Sequence, residues 1–154
     1  VNVTPVNDAP TVVVPVGQLV AEDTPLVFSA ASDNSISVAD VESDGLTVTL
    51  TASNGVLTLP SIGGLTFVTG SGAGDATMTF SGSVAAINLA LDGLEFLPNL
   101  NFNGVAGIAL VVADAGFSVP ANVAVTVTPV NDAPVTSADG YTVSEDGSLT
   151  VGAA

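Results

Sequence analysis

The chain has 154 residues, and its 15 Asp and Glu face no Lys, Arg or His, for a formal net charge of −15. Without His, Cys or Lys there are no common nucleophile–base pairs, no Schiff-base lysine and no Cys- or His-built zinc site. Without any side-chain cation there is no phosphate clamp, no nucleic-acid footprint and no attraction to anionic membranes.

The hydrophobic share of 47% is ample for a core, unlike that of a disordered acidic tail. The longest apolar stretch, residues 105–113, contains Gly107 and falls far short of the ~20 residues a spanning helix needs. Absent cysteines exclude a disulfide scaffold. No leader pattern and no initiating Met open the chain, so it is expected to be an internal piece of a longer protein. The carboxylates, which no side chain can neutralise, must be solvated, hydrogen-bonded to backbone or hydroxyl groups, or bound to a metal.

Along the chain, an internal repeat comes first. Val3-Thr4-Pro5-Val6-Asn7-Asp8-Ala9-Pro10 returns letter for letter as Val127-Thr128-Pro129-Val130-Asn131-Asp132-Ala133-Pro134, an offset of 124 from Val3 to Val127. Glu22-Asp23 with Leu26 is echoed by Glu145-Asp146 with Leu149, an offset of 123. Residues 1–10 therefore read as the tail and linker of a preceding repeat, 11–134 as one complete unit, and 135–154 as the start of a third.

Within the unit, strands are predicted over 11–14 and 26–29, then over 46–51, where Leu and Val alternate strictly with Thr. Asn54-Gly55 predicts a tight hairpin returning over 56–59. Further strands are predicted over 65–68, 76–81, 94–97, 107–113 and 122–128, with Pro and Gly between them. One segment breaks the period: Ser83 is placed to cap a short helix whose Val84, Ile87 and Leu91 share a face, closed by Gly93. The expected fold is all-β, a Greek-key β-sandwich of about 100 residues with one short helical insertion.

The acidic residues then acquire places. Asp40-Val41-Glu42-Ser43-Asp44 lies in a loop before a strand, and Ala113-Asp114, Gly116 and Pro120 close another before the run into Asn131-Asp132-Ala133-Pro134. This order resembles the cadherin repeat, with its A-x-D-x-G-x-x-P run, final strand and D-x-N-D-N-A-P linker. Leu94-Glu95-Phe96-Leu97-Pro98-Asn99 and Asn101-Phe102-Asn103-Gly104 resemble segments of the cadherin-like tandem repeats of large bacterial surface adhesins of the RTX or biofilm type. The resemblance covers residues 1–134. It departs from the family in its shorter linker, and in Leu91-Asp92-Gly93-Leu94-Glu95, only a loose echo of the family's L-D-R-E motif.

The resemblance implies an immunoglobulin/cadherin-like topology and Ca²⁺ at the junctions between repeats. Carried over by position, one junction would use Asn7, Asp8, Asp40, Glu42 and Asp114, and the other Asn131, Asp132 and Glu22, with Asp23 a weaker candidate. An oxygen-only donor set of this kind suits Ca²⁺. The implied role is a calcium-rigidified spacer or adhesion repeat at a bacterial surface, mediating cell adhesion or biofilm cohesion. Its partners would be neighbouring repeats of the same chain, with glycans or like domains further candidates.

Plainer readings stand beside these. Asp8 and Asp132 can form Asx-turns before proline, Asp40, Glu42 and Asp44 a solvated loop, and Asp114 a turn cap. Residues 70–75 imitate the calcium nonapeptide, but Ser71 and Ala73 stand where it requires glycine. Asn2-Val3-Thr4 is a formal glycosylation sequon. A carbohydrate-binding module is one alternative function, although the chain has no Trp and one Tyr. A self-assembling filament repeat, with residues 135–154 adding a strand to a neighbour, is another. An enzyme is not expected, because nothing sets one carboxylate apart as a general acid.

Overall fold

A computed structural model describes residues 6–42 and 45–131, together with 133, 142, 145–148 and 150. The chain folds as an all-β sandwich with one helix. Its strands are β1 (Thr11–Val13), β2 (Gln18–Ala21), β3 (Leu26–Phe28), β4 (Ser37–Ala39), β5 (Leu46–Ser53) and β6 (Gly55–Thr58), followed by β7 (Leu65–Thr69), β8 (Thr77–Gly82), β9 (Leu94–Pro98), β10 (Gly104–Ala113) and β11 (Ser118–Thr128). Helix α1 (Val84–Leu91) lies between β8 and β9.

Six strands form the main sheet in the order β2-β11-β10-β5-β8-β7. Smaller sheets, β3-β9-β6 and β1-β4, complete the sandwich with α1. Period-two patterning puts Leu46, Val48 and Leu50 of β5, Met78 and Phe80 of β8, Ile108, Leu110 and Val112 of β10, and Val123, Val125 and Val127 of β11 on the inner face. They meet Phe28, Val38, Leu57, Leu94 and Phe96 from the smaller sheets in one core.

The helix forms as the sequence predicts. The Ser83 hydroxyl accepts the Ala86 N–H at 3.2 Å, Ile87 and Leu91 are buried, and Gly93 follows with φ +107°. Asn88 then joins the helix to β4. Its side-chain oxygen accepts the Val38 N–H at 2.9 Å and its amide donates to the Val38 carbonyl at 2.8 Å. That bidentate contact satisfies a backbone site that no neighbouring strand reaches.

Three features depart from the sequence expectation. Strands β2 and β4 were not predicted, since neither carries a long alternating run. Strand β11 begins at Ser118 rather than Asn122, so Pro120 lies inside it, opposite Val111. Proline is tolerated there because β2 pairs with β11 only over Val125–Thr128, leaving the earlier half of β11 on an open edge. Finally, Asn54-Gly55 does not close a hairpin. Strand β6 leaves the main sheet and pairs with β9, Gly55 opposite Pro98, so the turn carries the chain from one sheet to the other.

Strand β11 also sets the placement of the functional ends. It runs for 11 residues, so its two ends are about 33 Å apart at the usual rise per residue. The turn from Asp114 to Phe117 lies at its beginning, and Glu22 with the outgoing residues Pro129 to Asn131 lies at its end. Residues 6–10 and 129–131 thus occupy opposite poles of the sandwich.

Candidate functional site

At the incoming pole, β1 and β4 bring residues 6–10 against the loop after β4 and the turn between β10 and β11. The turn is built around the Asp114 carboxylate. One oxygen accepts the N–H groups of Gly116 and Phe117, each at 2.6 Å, while the Asp114 N–H donates to the Phe117 carbonyl at 3.1 Å. The other oxygen accepts the Asn7 side-chain amide at 3.0 Å across 107 residues of sequence. The Gly116 N–H, opposed by desolvation and then aided by Phe117 and Asn7, holds the Asp114 carboxyl below its ordinary value of 3.8.

The patch continues through Asp8. Its backbone N–H donates to a Glu42 carboxylate oxygen at 3.4 Å, and the Glu42 N–H donates to Oδ1 of Asp40 at 3.0 Å. The other oxygen of Asp40 is buried. Asn7, Asp8, Asp40, Glu42 and Asp114, which the resemblance groups at one junction, are linked by one contiguous chain of contacts. Asp44, the remaining loop acid, lies outside the described residues.

At the outgoing pole Glu22 is buried, only 6% exposed, on a chain with no cation to pair with it. One of its oxygens accepts the Val130 N–H at 2.6 Å, and the other accepts the Asn103 amide at 3.4 Å. The Glu22 N–H donates to the Thr128 carbonyl at 2.9 Å. Glu22 thus holds the residues that follow β11 directly. Asn131 follows within the described residues, whereas Asp132 lies outside them. Asp23 accepts the Asn101 N–H at 2.8 Å and braces the loop before β10.

Asn103 was not singled out as a site residue. Its signal was nonetheless present, in the Asn101-Phe102-Asn103-Gly104 segment that carried part of the resemblance. Its contact with Glu22 spans 81 residues and has no local signature.

The donor chemistry of both poles suits a hard cation, because the side chains brought together there offer carboxylate and amide oxygens. Among the described residues, however, no three acidic side chains converge closely enough to hold a metal ion. The carboxylates instead take N–H donors from turns and linkers. Asp8 is exposed, and Glu42 and Asp114 are half-buried.

The glycine-rich loop at residues 70–75 has a different role. One Asp75 oxygen accepts the N–H groups of Ser71 and Gly72, each at 2.7 Å, and the Ser71 hydroxyl at 3.4 Å. The loop is wrapped around its own carboxylate and hydrogen-bonds to Leu57 of β6 and to Leu59 just beyond it. The Ser71 N–H chiefly, against desolvation and with help from Gly72, holds the Asp75 carboxyl below 3.8. A group with a depressed folded pKa contributes stability above its unfolded pKa, and this is lost as pH falls through the folded value. The Asp75 carboxyl carbon is therefore expected to titrate by NMR with a midpoint below 3.8. In Asp75→Asn, the part of acid destabilisation that arises below that pH should be reduced.

No family model matches the chain, and no curated protein matches it significantly.

Proposed function

We propose that this chain is a calcium-binding spacer repeat of a large extracellular protein, its successive sandwiches held in line by Ca²⁺ at the linkers. One observation carries this reading: linker residues Asn7 and Asp8 are hydrogen-bonded to Asp114 and Glu42 at one pole, while Glu22 grips the following copy of the linker at the other. An array of such units runs head to tail, with oxygen donors gathered at each junction.

Asp8, Asp40, Glu42 and Asp114, with the Asn7 side chain, would hold the ion at the incoming pole. Glu22, Asn131 and Asp132 would contribute at the outgoing one. The cation would supply the counter-charge that no side chain provides. Without it, carboxylates from linker and loops repel one another and the junction flexes; with it, linker and sandwich are bound as one body. Extracellular calcium modules typically bind at about 10⁻⁴ to 10⁻³ M, so such a site fills outside a cell and empties in a cytosol. Projection of an adhesive tip from a bacterial surface, or cohesion in a biofilm matrix, is the proposed use.

The carbohydrate-binding alternative has less support. Phe117 is the one exposed phenylalanine, and Phe28, Phe80 and Phe96 are buried.

Calcium titration by calorimetry tests the reading on this chain, which contains all five incoming-pole residues. Saturation at about 100 times Kd should add roughly 2.7 kcal/mol of stability, seen as a higher melting temperature. Scattering from a two-repeat protein should show a longer, stiffer particle in millimolar calcium than in chelator. If neither melting nor extension responds, the calcium-spacer reading is wrong.

A further inference from the structure

The two broad faces of the sandwich differ in charge. No strand of the six-stranded sheet contains an acidic residue. Its outward positions include Thr47, Thr51 and Ser53 on β5, Val105, Ala109 and Val111 on β10, and Asn122, Ala124 and Thr126 on β11. The opposite layer carries Asp33, Asp92 and Glu95, and the other acids among the described residues lie at the poles and in loops.

The neutral face is also apolar in places and is not flat. Val105 is 79% exposed and Leu19 72%. Near its middle is a shallow hollow of about 280 Å³, bordered by Thr51, Ser53, Ala109, Asn122 and Ala124. Gly107 lines it, and a Cβ there would lie 2.8 Å from the Val123 carbonyl.

We propose that this face is a docking surface for a second copy of the same chain, sheet against sheet. The argument is electrostatic. Each copy carries −15 and no side-chain cation, so no pair of acidic surfaces on two copies can attract. The face of the main sheet is the broad surface that two copies can bring together without burying carboxylates against each other. Strand spacing and rise give it about 650 Å² per copy, or about 1,300 Å² in a pair, at the low end for a specific interface. The contact between single chains is therefore weak, and repetition along two parallel arrays multiplies it. It does not depend on calcium, so it stands or falls apart from the spacer reading.

Sedimentation of the full chain in chelator tests it. Self-association with a Kd between about 10 µM and 1 mM is expected. It should tighten when salt rises from about 0.05 to 0.5 M, because screening relieves repulsion between copies. Thr51→Glu and Ala109→Glu, made separately at paired positions of β5 and β10, should each weaken association at least about tenfold. Leu89→Glu adds the same charge on the exposed side of α1 and should leave Kd within about twofold. The proposal is overturned by a chain that stays monomeric at 1 mM in high salt. Association that both sheet variants leave intact, or that Leu89→Glu weakens equally, also overturns it.

Discussion

Gly55→Ala is expected to destabilise the sandwich by about 3 kcal/mol, the upper end for overpacking a filled core. A Cβ at this position would lie 2.5 Å from the Phe96 ring and 2.6 Å from the Leu97 carbonyl. The ring is fully buried and the carbonyl belongs to the β6–β9 pairing, so neither can retreat without opening the smaller sheet. For a domain of this size the melting temperature should fall by about 10 °C, measured by calorimetry. Gly45→Ala is the control, since its Cβ would meet nothing nearer than the Gly82 carbonyl at 3.7 Å. Equal effects at the two positions would show that the close approach at Gly55 is not what demands glycine.

The same residue shows where a local reading of this chain ends. Asn54-Gly55 is the strongest short hairpin signal, and Asn54 does adopt φ +58°. Gly55 does not take a positive φ; it is glycine because Phe96 occupies the space of its side chain. The choice between pairing β6 with β5 and pairing it with β9 is made by the core. Leu50 and Leu57 fill opposite layers, and a hairpin would leave both in one. Pattern showed the strands and the helix, because alternation and capping are local. It missed β2 and β4, whose three or four residues are held by partners far along the chain.

Glu22→Ala is expected to cost about 2 to 3 kcal/mol, the range for hydrogen bonds to a charged acceptor whose partners are then left without it. Its effect should also be local and directional. The Val130 N–H loses its acceptor, so hydrogen exchange at that amide should accelerate well beyond that of amides in the middle of β11. Glu22→Gln retains a side-chain carbonyl and should restore part of both properties. Unchanged protection of Val130 in Glu22→Ala would mean that the outgoing linker is held by something other than this carboxylate.

The candidate site was legible to an uneven degree for a related reason. The acids of the loop after β4 and of the Asp114 turn stand out locally, as carboxylates beside turns. Their convergence with Asn7 and Asp8 was implied only by the resemblance, and the contact that establishes it joins positions 107 residues apart. Asp75 shows the reverse case. A loop that imitates a calcium motif in spelling uses its carboxylate to close itself.

The parallel pairing of β2 with β11 has a mechanical consequence. Gln18 to Ala21 lie beside Val125 to Thr128, near the start and the end of the same sandwich, and residues 6–10 and 129–131 lie at opposite poles. A pull applied between Asn7 and Asn131 slides these strands past each other along their length. Their cross-strand hydrogen bonds are then strained together, across the pulling direction, instead of being peeled apart one by one. The Glu22–Thr128 bond and the Glu22–Val130 bond extend the same ladder toward the exit. Under tension the sandwich resists in shear, the loading geometry in which a short strand pair holds best.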